Sequence, residues 1–394
     1  MGSPFRKRNG VPPSDLRVCD PAILGRDDGV DDPCWASRCA SVGVSPTTQE
    51  GSSAMHITTI GLDLAKNTFQ VHAIDAAGQV VLQRKLRRAG VLSFFAKLPP
   101  CLVGLEACGS AHYWGRELAR FGHTVKLLPP ADVQAYVRRN KTDAADAAAI
   151  CEAVTRPHLR AVPLKTPDQQ ALAVQHRVRD LLVGQRTALI NALRAHLAEF
   201  GLVAARGPGG LRDLVAALAE ADERALPALA RTVLSDVVAA IESLERRIAG
   251  IERSIVSANK ANETARRLLT IPCVGPIGAS AFAGLVADAA AFKNGRAFAS
   301  WLGLTPREHS TGGRQRLGPI SKQGNRYLRR LLVVGATSLL RRPDSAGPVL
   351  AAWIRSLAAH KPARLVTVAL ANKIARIIWA VLARQDVFRC SVAA

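Results

Sequence analysis

Between residues 57 and 154 apolar runs are short and broken by turn residues at regular intervals. Ile57–Leu64 and Phe69–Ile74 read as two strands of a hairpin, and "AAGQ" turns the chain into a third, Val80–Leu86. Val91–Leu98 predicts a short helix. Cys101–Leu105 is an apolar strand that ends at Glu106. Gly109 and Ser110 open a helix, with Ser110 at the N-cap. Thr124–Leu128 is a further strand, closed by two prolines, and Thr142–Ala153 is an alanine-rich helix. Strands alternating with helices predict an α/β domain built on a mixed sheet.

The pattern then changes. Residues 166–260 read as helical throughout, with no proline between Pro167 and Phe200. Leu234, Val237, Ile241, Leu244, Ile248, Ile251 and Ile255 are spaced alternately by three and four, an a/d seam over three heptads. Such a seam fits a coiled coil joining protomers or a long helix packed within its own chain. From residue 266 onward the chain reads as short helices and loops, mainly α. "LLTIPCVGPIGASAFAG" has the cast of a helix-hairpin-helix, in which Gly275 and Gly278 would let backbone N–H groups approach a phosphate. A tight turn between two helices is the plainer reading. The expected organisation is a leader over 1–54, an α/β domain over 55–160, a helical region over 161–262 and a C-terminal domain over 263–394.

Composition adds a partner class. The formal net charge is +22, and from Arg307 through Arg342 nine Lys or Arg stand against one acid, Glu308. Clustered charge of that size points to a polyanion. The leader carries none of the excess, lacks apolar periodicity and reads as disordered. Met55 opens directly onto a strand, so a functional start there is expected. Eight scattered cysteines form no CxxC pair and read as reduced thiols. No run of apolar residues reaches the roughly 20 of a membrane span, and a soluble, cytoplasmic protein is expected.

Candidate chemistry starts from two carboxylates in the wrong surroundings. Asp63 lies in an apolar strand between Leu62 and Leu64, and Glu106 ends the apolar run "CLVGLE". A buried charge is costly unless it is paired or binds a metal. "KTDAADAAAI" adds Asp143 and Asp146, three apart and so on one helix face. Four carboxylates are hard oxygen donors that suit Mg²⁺ or Mn²⁺. In "REHSTGGRQRLG", Ser310 lies in a Gly- and Arg-rich loop. Arg307, Arg314 and Arg316 could neutralise a phosphate there. Beyond it Lys322, Arg326, Arg329 and Arg330 would form a cationic helix face that grips DNA phosphates.

The stretches "IGLDLAKNTFQVHAID", "GLEACGS" and "KTDAADA" resemble the N-terminal part of the DEDD insertion-sequence transposases, the "one-ten" family. "IPCVGPIGA", "ASWLGLTPREHSTGGRQRLGPISKQGNRYLRRLLVVGA" and "LANKIARIIWAVL" resemble the family's C-terminal transposase domain, so the resemblance covers about residues 55–385. It implies a RuvC-like, ribonuclease-H-type fold carrying Asp63, Glu106, Asp143 and Asp146 as metal ligands. It also implies a recombinase that cuts and rejoins DNA through a serine, here Ser310. Many members have two serines before the glycine, and here the second is Thr311. The implied partners are element-end and target DNA, a structured guide RNA and further copies of the chain, in a bacterial, nucleoid-associated setting. The acids alone would also serve a junction endonuclease with water as nucleophile. His309 is a candidate base for Ser310, and Tyr327 is the other hydroxyl in the basic segment.

Overall fold

The computed structural model describes residues 56–137 and 142–389; the leader and Lys141 lie outside them. Five strands, β1 (Thr59–Leu64), β2 (Thr68–Ile74), β3 (Val80–Arg87), β4 (Leu102–Glu106) and β5 (Thr124–Leu128), form one sheet in the order β3-β2-β1-β4-β5. β1, β2 and β3 pair antiparallel as a meander, whereas β1, β4 and β5 pair parallel. Parallel pairing needs crossovers, and the helices supply them. These are α1 (Val91–Phe95) and α2 (Ala111–Arg120), followed by α3 (Pro130–Gln134) and α4 (Asp143–Val154).

Alternation along the strands assigns the two faces. Ile60, Leu62, Val103 and Leu105 are buried with Phe95, Trp114 and Leu118 from α1 and α2. Gly61 and Gly104 point the other way, where α4 lies directly on the strands. A Cβ on Gly61 would fall 2.1 Å from the Ala147 carbonyl oxygen and 2.4 Å from the Cys151 amide nitrogen. A Cβ on Gly104 would fall 2.8 Å from Val154 Cβ. The glycines are there because the helix backbone occupies the side-chain space. Gly61→Ala therefore has to push α4 off the sheet, and overpacking of this kind costs about 1–3 kcal/mol or more. The expected result is a lower midpoint of urea unfolding. An unchanged midpoint would mean that α4 does not sit on β1 this closely.

The helical region consists of three helices, α5 (Pro167–Ala198), α6 (Pro208–Glu220) and α7 (Ala228–Ala261). Thr166 and Gln169 form a reciprocal capping box that starts α5. Gly201 and Gly207, both at positive φ, break the chain before α6. The heptad seam of α7 is filled from within the chain. Leu234, Ile241, Ile248 and Ile255 are buried, α5 being the long partner, while Val237, Leu244 and Ile251 stay half-exposed. Arg179 of α5 pairs with Glu252 of α7 across this hairpin.

Six more helices, α8 (Glu263–Leu268), α9 (Pro276–Leu285), α10 (Gly295–Trp301), α11 (Arg326–Arg341), α12 (Pro348–His360) and α13 (Ala363–Arg384), enclose a separate core. α13 is long and apolar enough to cross a membrane by length and composition. Its Leu370, Ile374, Ile378 and Val381 are instead buried in this core, and its Trp379 indole N–H donates to the Ala289 carbonyl at 3.1 Å. Between α10 and α11 the chain forms a β-hairpin, β6 (Pro306–Glu308) and β7 (Leu317–Ile320), where sequence reading expected only a loop.

Candidate active site

The parallel register of β1 and β4 sets Gly61 opposite Gly104 and Leu62 opposite Leu105. Asp63 and Glu106 are the next residue on each strand. Each is two positions beyond a glycine that touches α4, so both carboxylates rise on the α4 face. α4 presents its N-terminus to them. Thr142 caps it by accepting from the Ala145 amide at 3.2 Å, and Asp143 and Asp146 occupy its first turn. Carboxylates are favoured at that positive end of a helix. Two strands and a helix end thus gather four acids from three places in the sequence.

Electrostatics registers the gathering. Burial pushes the Asp63 carboxyl above its ordinary range, and Asp146, Asp143 and Glu106 push it further in the same direction. That is the signature of like charges at one site. Among the described residues no three Asp, Glu, His or Cys side chains stand close enough to chelate one ion as they are. The acids are hard oxygen donors whose charges act on one another. Their mutual repulsion is what a divalent cation would relieve.

Ser310 sits in a different place. The β6–β7 hairpin ends in a two-residue turn, Gly312 at φ +56° and Gly313 at φ +74°, with Thr311 and Arg314 bridged across it. Two positive φ angles in succession make the primed turn that suits the twist of a hairpin, which glycine adopts without strain. Ser310 stands two residues before Gly312, exposed. Its hydroxyl donates to Glu308 Oε1 at 2.9 Å, and its Oγ accepts from the Arg316 amide at 3.1 Å. Among the described residues no hydrogen bond or ion pair joins this hairpin to β1, β4 or α4.

The basic residues divide into two groups. Arg314, Arg316, Lys322 and Arg326 are exposed, around the hairpin tip and the start of α11. Arg307 donates to the Ser321 carbonyl at 3.3 Å. Arg329 turns inward to the carbonyls of Leu302 and Gln323, at 2.8 and 2.6 Å. Arg330 pairs with Asp180 of α5 and lies over the Tyr327 ring. Tyr327 shares a hydrogen bond with His176 Nδ1 at 3.1 Å, and burial pushes its hydroxyl pKa up, so it is held in the packing between α5 and α11. Gly275 caps α9, and a Cβ there would meet nothing within 4 Å, so the backbone is open to approach. Gly278, one turn on, has only Val274 beside it. The structural partner that sequence reading missed is Glu308. Strand alternation from Glu308 to Ser310 would have placed both on one face, had the segment been read as a hairpin.

The mixed sheet, its order and its flanking helices define a ribonuclease-H-like α/β domain followed by a mainly helical region. A transposase family model matches residues 60–201, and the model for the IS116/IS110/IS902 transposase family matches residues 265–348. A Pseudomonas aeruginosa protein named "Probable family 20 transposase" is 49% identical over 85% of this chain and 99% of its own length. The transposase of insertion sequence element IS1328 from Yersinia enterocolitica is 39% identical over 84% of this chain and 99% of its own. That of element IS1111A from Coxiella burnetii is 37% identical over 86% and 93%. The chain belongs to the IS110/IS116 family of transposases, enzymes that act on DNA.

Proposed function

We propose that the protein moves an insertion sequence by cutting and rejoining DNA strands through a covalent phosphoserine at Ser310. The observation that carries this reading is the convergence of Asp63, Glu106, Asp143 and Asp146 on one end of the sheet, with a hydroxyl displayed on a separate basic hairpin. The four acids would hold Mg²⁺ or Mn²⁺. Bound there, such an ion supplies Lewis-acid neutralisation of charge at the scissile phosphate. Arg314 and Arg316 flank the hairpin tip and would hold the phosphate beside Ser310. Lys322 and Arg326 extend the grip along the duplex backbone, and the open N-terminus of α9 offers amides to another phosphate.

Because no hydrogen bond or ion pair among the described residues joins hairpin and acids, the working site brings them together from two protomers of a dimer or tetramer. The half-exposed Val237, Leu244 and Ile251 of α7 leave part of its seam open to another copy. The cations grip backbone, which carries no sequence information. Delegating the choice of element ends and target to a structured guide RNA fits that division of labour, as does work at the bacterial nucleoid.

The second reading is a metal-dependent junction endonuclease, which the acids would serve with water as nucleophile. Ser310→Ala separates the two. The transposase reading expects DNA binding to persist while strand cleavage and every protein–DNA adduct are lost. Cleavage at the rate of the unaltered protein would favour the endonuclease.

A further inference from the structure

Glu308 is the single acid among the nine basic residues from Arg307 through Arg342. A carboxylate there repels the phosphate that its neighbours attract, so it works against DNA affinity. It is not neutralised by them, since among the described residues Glu308 forms no ion pair. Its partner is instead the Ser310 hydroxyl, which donates to Oε1 at 2.9 Å. From the other side the Arg316 amide donates to the same Ser310 oxygen at 3.1 Å. His309, the sequence candidate for a base, lies elsewhere. Its ring packs beside Gly318, 3.4 Å from the Cβ that residue lacks, and its backbone amide donates to the Arg316 carbonyl at 2.8 Å.

A serine hydroxyl attacks well only as its proton leaves, and a base within hydrogen-bond reach can take that proton. A backbone amide aimed at the same oxygen stabilises the charge that develops on it. Resting on the serine reading above, we propose that Glu308 is the general base of the reaction, with the Arg316 amide supporting the emerging alkoxide. As the Ser310 Oγ–phosphorus bond forms, the Oγ proton passes to Glu308 Oε1. The phosphorus–oxygen bond to the departing strand breaks, and that oxygen leaves as a hydroxyl after taking one proton from Glu308 or solvent. Rejoining runs the same steps backward. An incoming strand hydroxyl gives its proton to Glu308, or to solvent where Glu308 has kept the Oγ proton, as its oxygen displaces Ser310 from phosphorus, and Glu308 returns a proton to Oγ. No water is consumed and no bond energy is lost, which suits a reaction that must reseal.

The test is single-turnover adduct formation by the full-length protein on element-end DNA with Mg²⁺ and the element's own transcript. Glu308→Gln keeps the size and the hydrogen bond but cannot take a proton. It should form the adduct about a hundredfold or more slowly, while binding DNA at least as tightly because a negative charge is gone. Its rate should climb more steeply toward alkaline pH than that of the unaltered protein, as hydroxide replaces the missing base. Glu308→Asp should recover part of the rate. Adduct formation by Glu308→Gln at the unaltered rate, with the adduct still lost in Ser310→Ala, would overturn this inference and leave the serine reading standing. A slow Glu308→Gln with an unchanged pH profile would reduce Glu308 to a structural role and overturn it equally. No adduct from the unaltered protein would overturn both.

Discussion

Asp63→Asn is expected to stabilise the metal-free protein at neutral pH and to abolish strand cleavage. Burial first, and then Asp146, Asp143 and Glu106, raise the Asp63 carboxyl above its usual range. The folded state therefore binds this proton more tightly than the unfolded chain does. By linkage, stability falls as pH rises from the ordinary carboxylate value of about 4 through the raised folded value, and stays lower above it. The amide removes that cost. The melting temperature of the variant should exceed that of the unaltered protein at neutral pH, and the two should converge below about pH 4. Divalent cations should reverse the order. Mg²⁺ should raise the melting temperature of the unaltered protein and do so less for the variant, because a ligand that binds only the folded state stabilises it by mass action. Loss of several kcal/mol of transition-state charge stabilisation corresponds to about a thousandfold or more in cleavage rate. Equal Mg²⁺ shifts in both proteins would remove Asp63 from the metal site.

Mixing two dead variants is expected to restore activity. Ser310→Ala lacks the hydroxyl and Asp63→Asn lacks a ligand, so each should fail alone. Among the described residues the hairpin and the acid end make no hydrogen bond or ion pair with each other. If each working site takes its serine from one protomer and its acids from another, a mixed dimer contains one site with both intact. Random pairing then restores about a quarter of the sites in a closed dimer. Sites built within single protomers would give no recovery at all.

What could be read from the chain, and what could not, follows physical lines. Asp63 and Glu106 stood out because a carboxylate interrupts an apolar strand, which is costly without a reason. Their shared face was also within reach, since Gly61 and Gly104 precede each by two residues. Strand β5 falls where its apolar run placed it, at Thr124–Leu128. The seam of α7 was legible as a seam, but three-four spacing does not say which surface fills it, and α5 fills much of it from the same chain. The β6–β7 hairpin escaped because its strands are three and four residues long, exposed and interrupted by Pro306 and Pro319. Only Gly312-Gly313 signalled it, as a primed turn would. Arg329 looked like one more cation on a helix face. Its inward turn to two carbonyls depends on where the loop before α11 folds back, which no local pattern encodes.

The most direct measurement is to digest the protein–DNA adduct with protease and locate the DNA-bearing peptide by mass spectrometry. Attachment to the peptide holding Ser310, absent without divalent cation and absent in Asp63→Asn, is the predicted result. Attachment through Tyr327 or Thr311, or efficient cleavage with no adduct on any peptide, would contradict it.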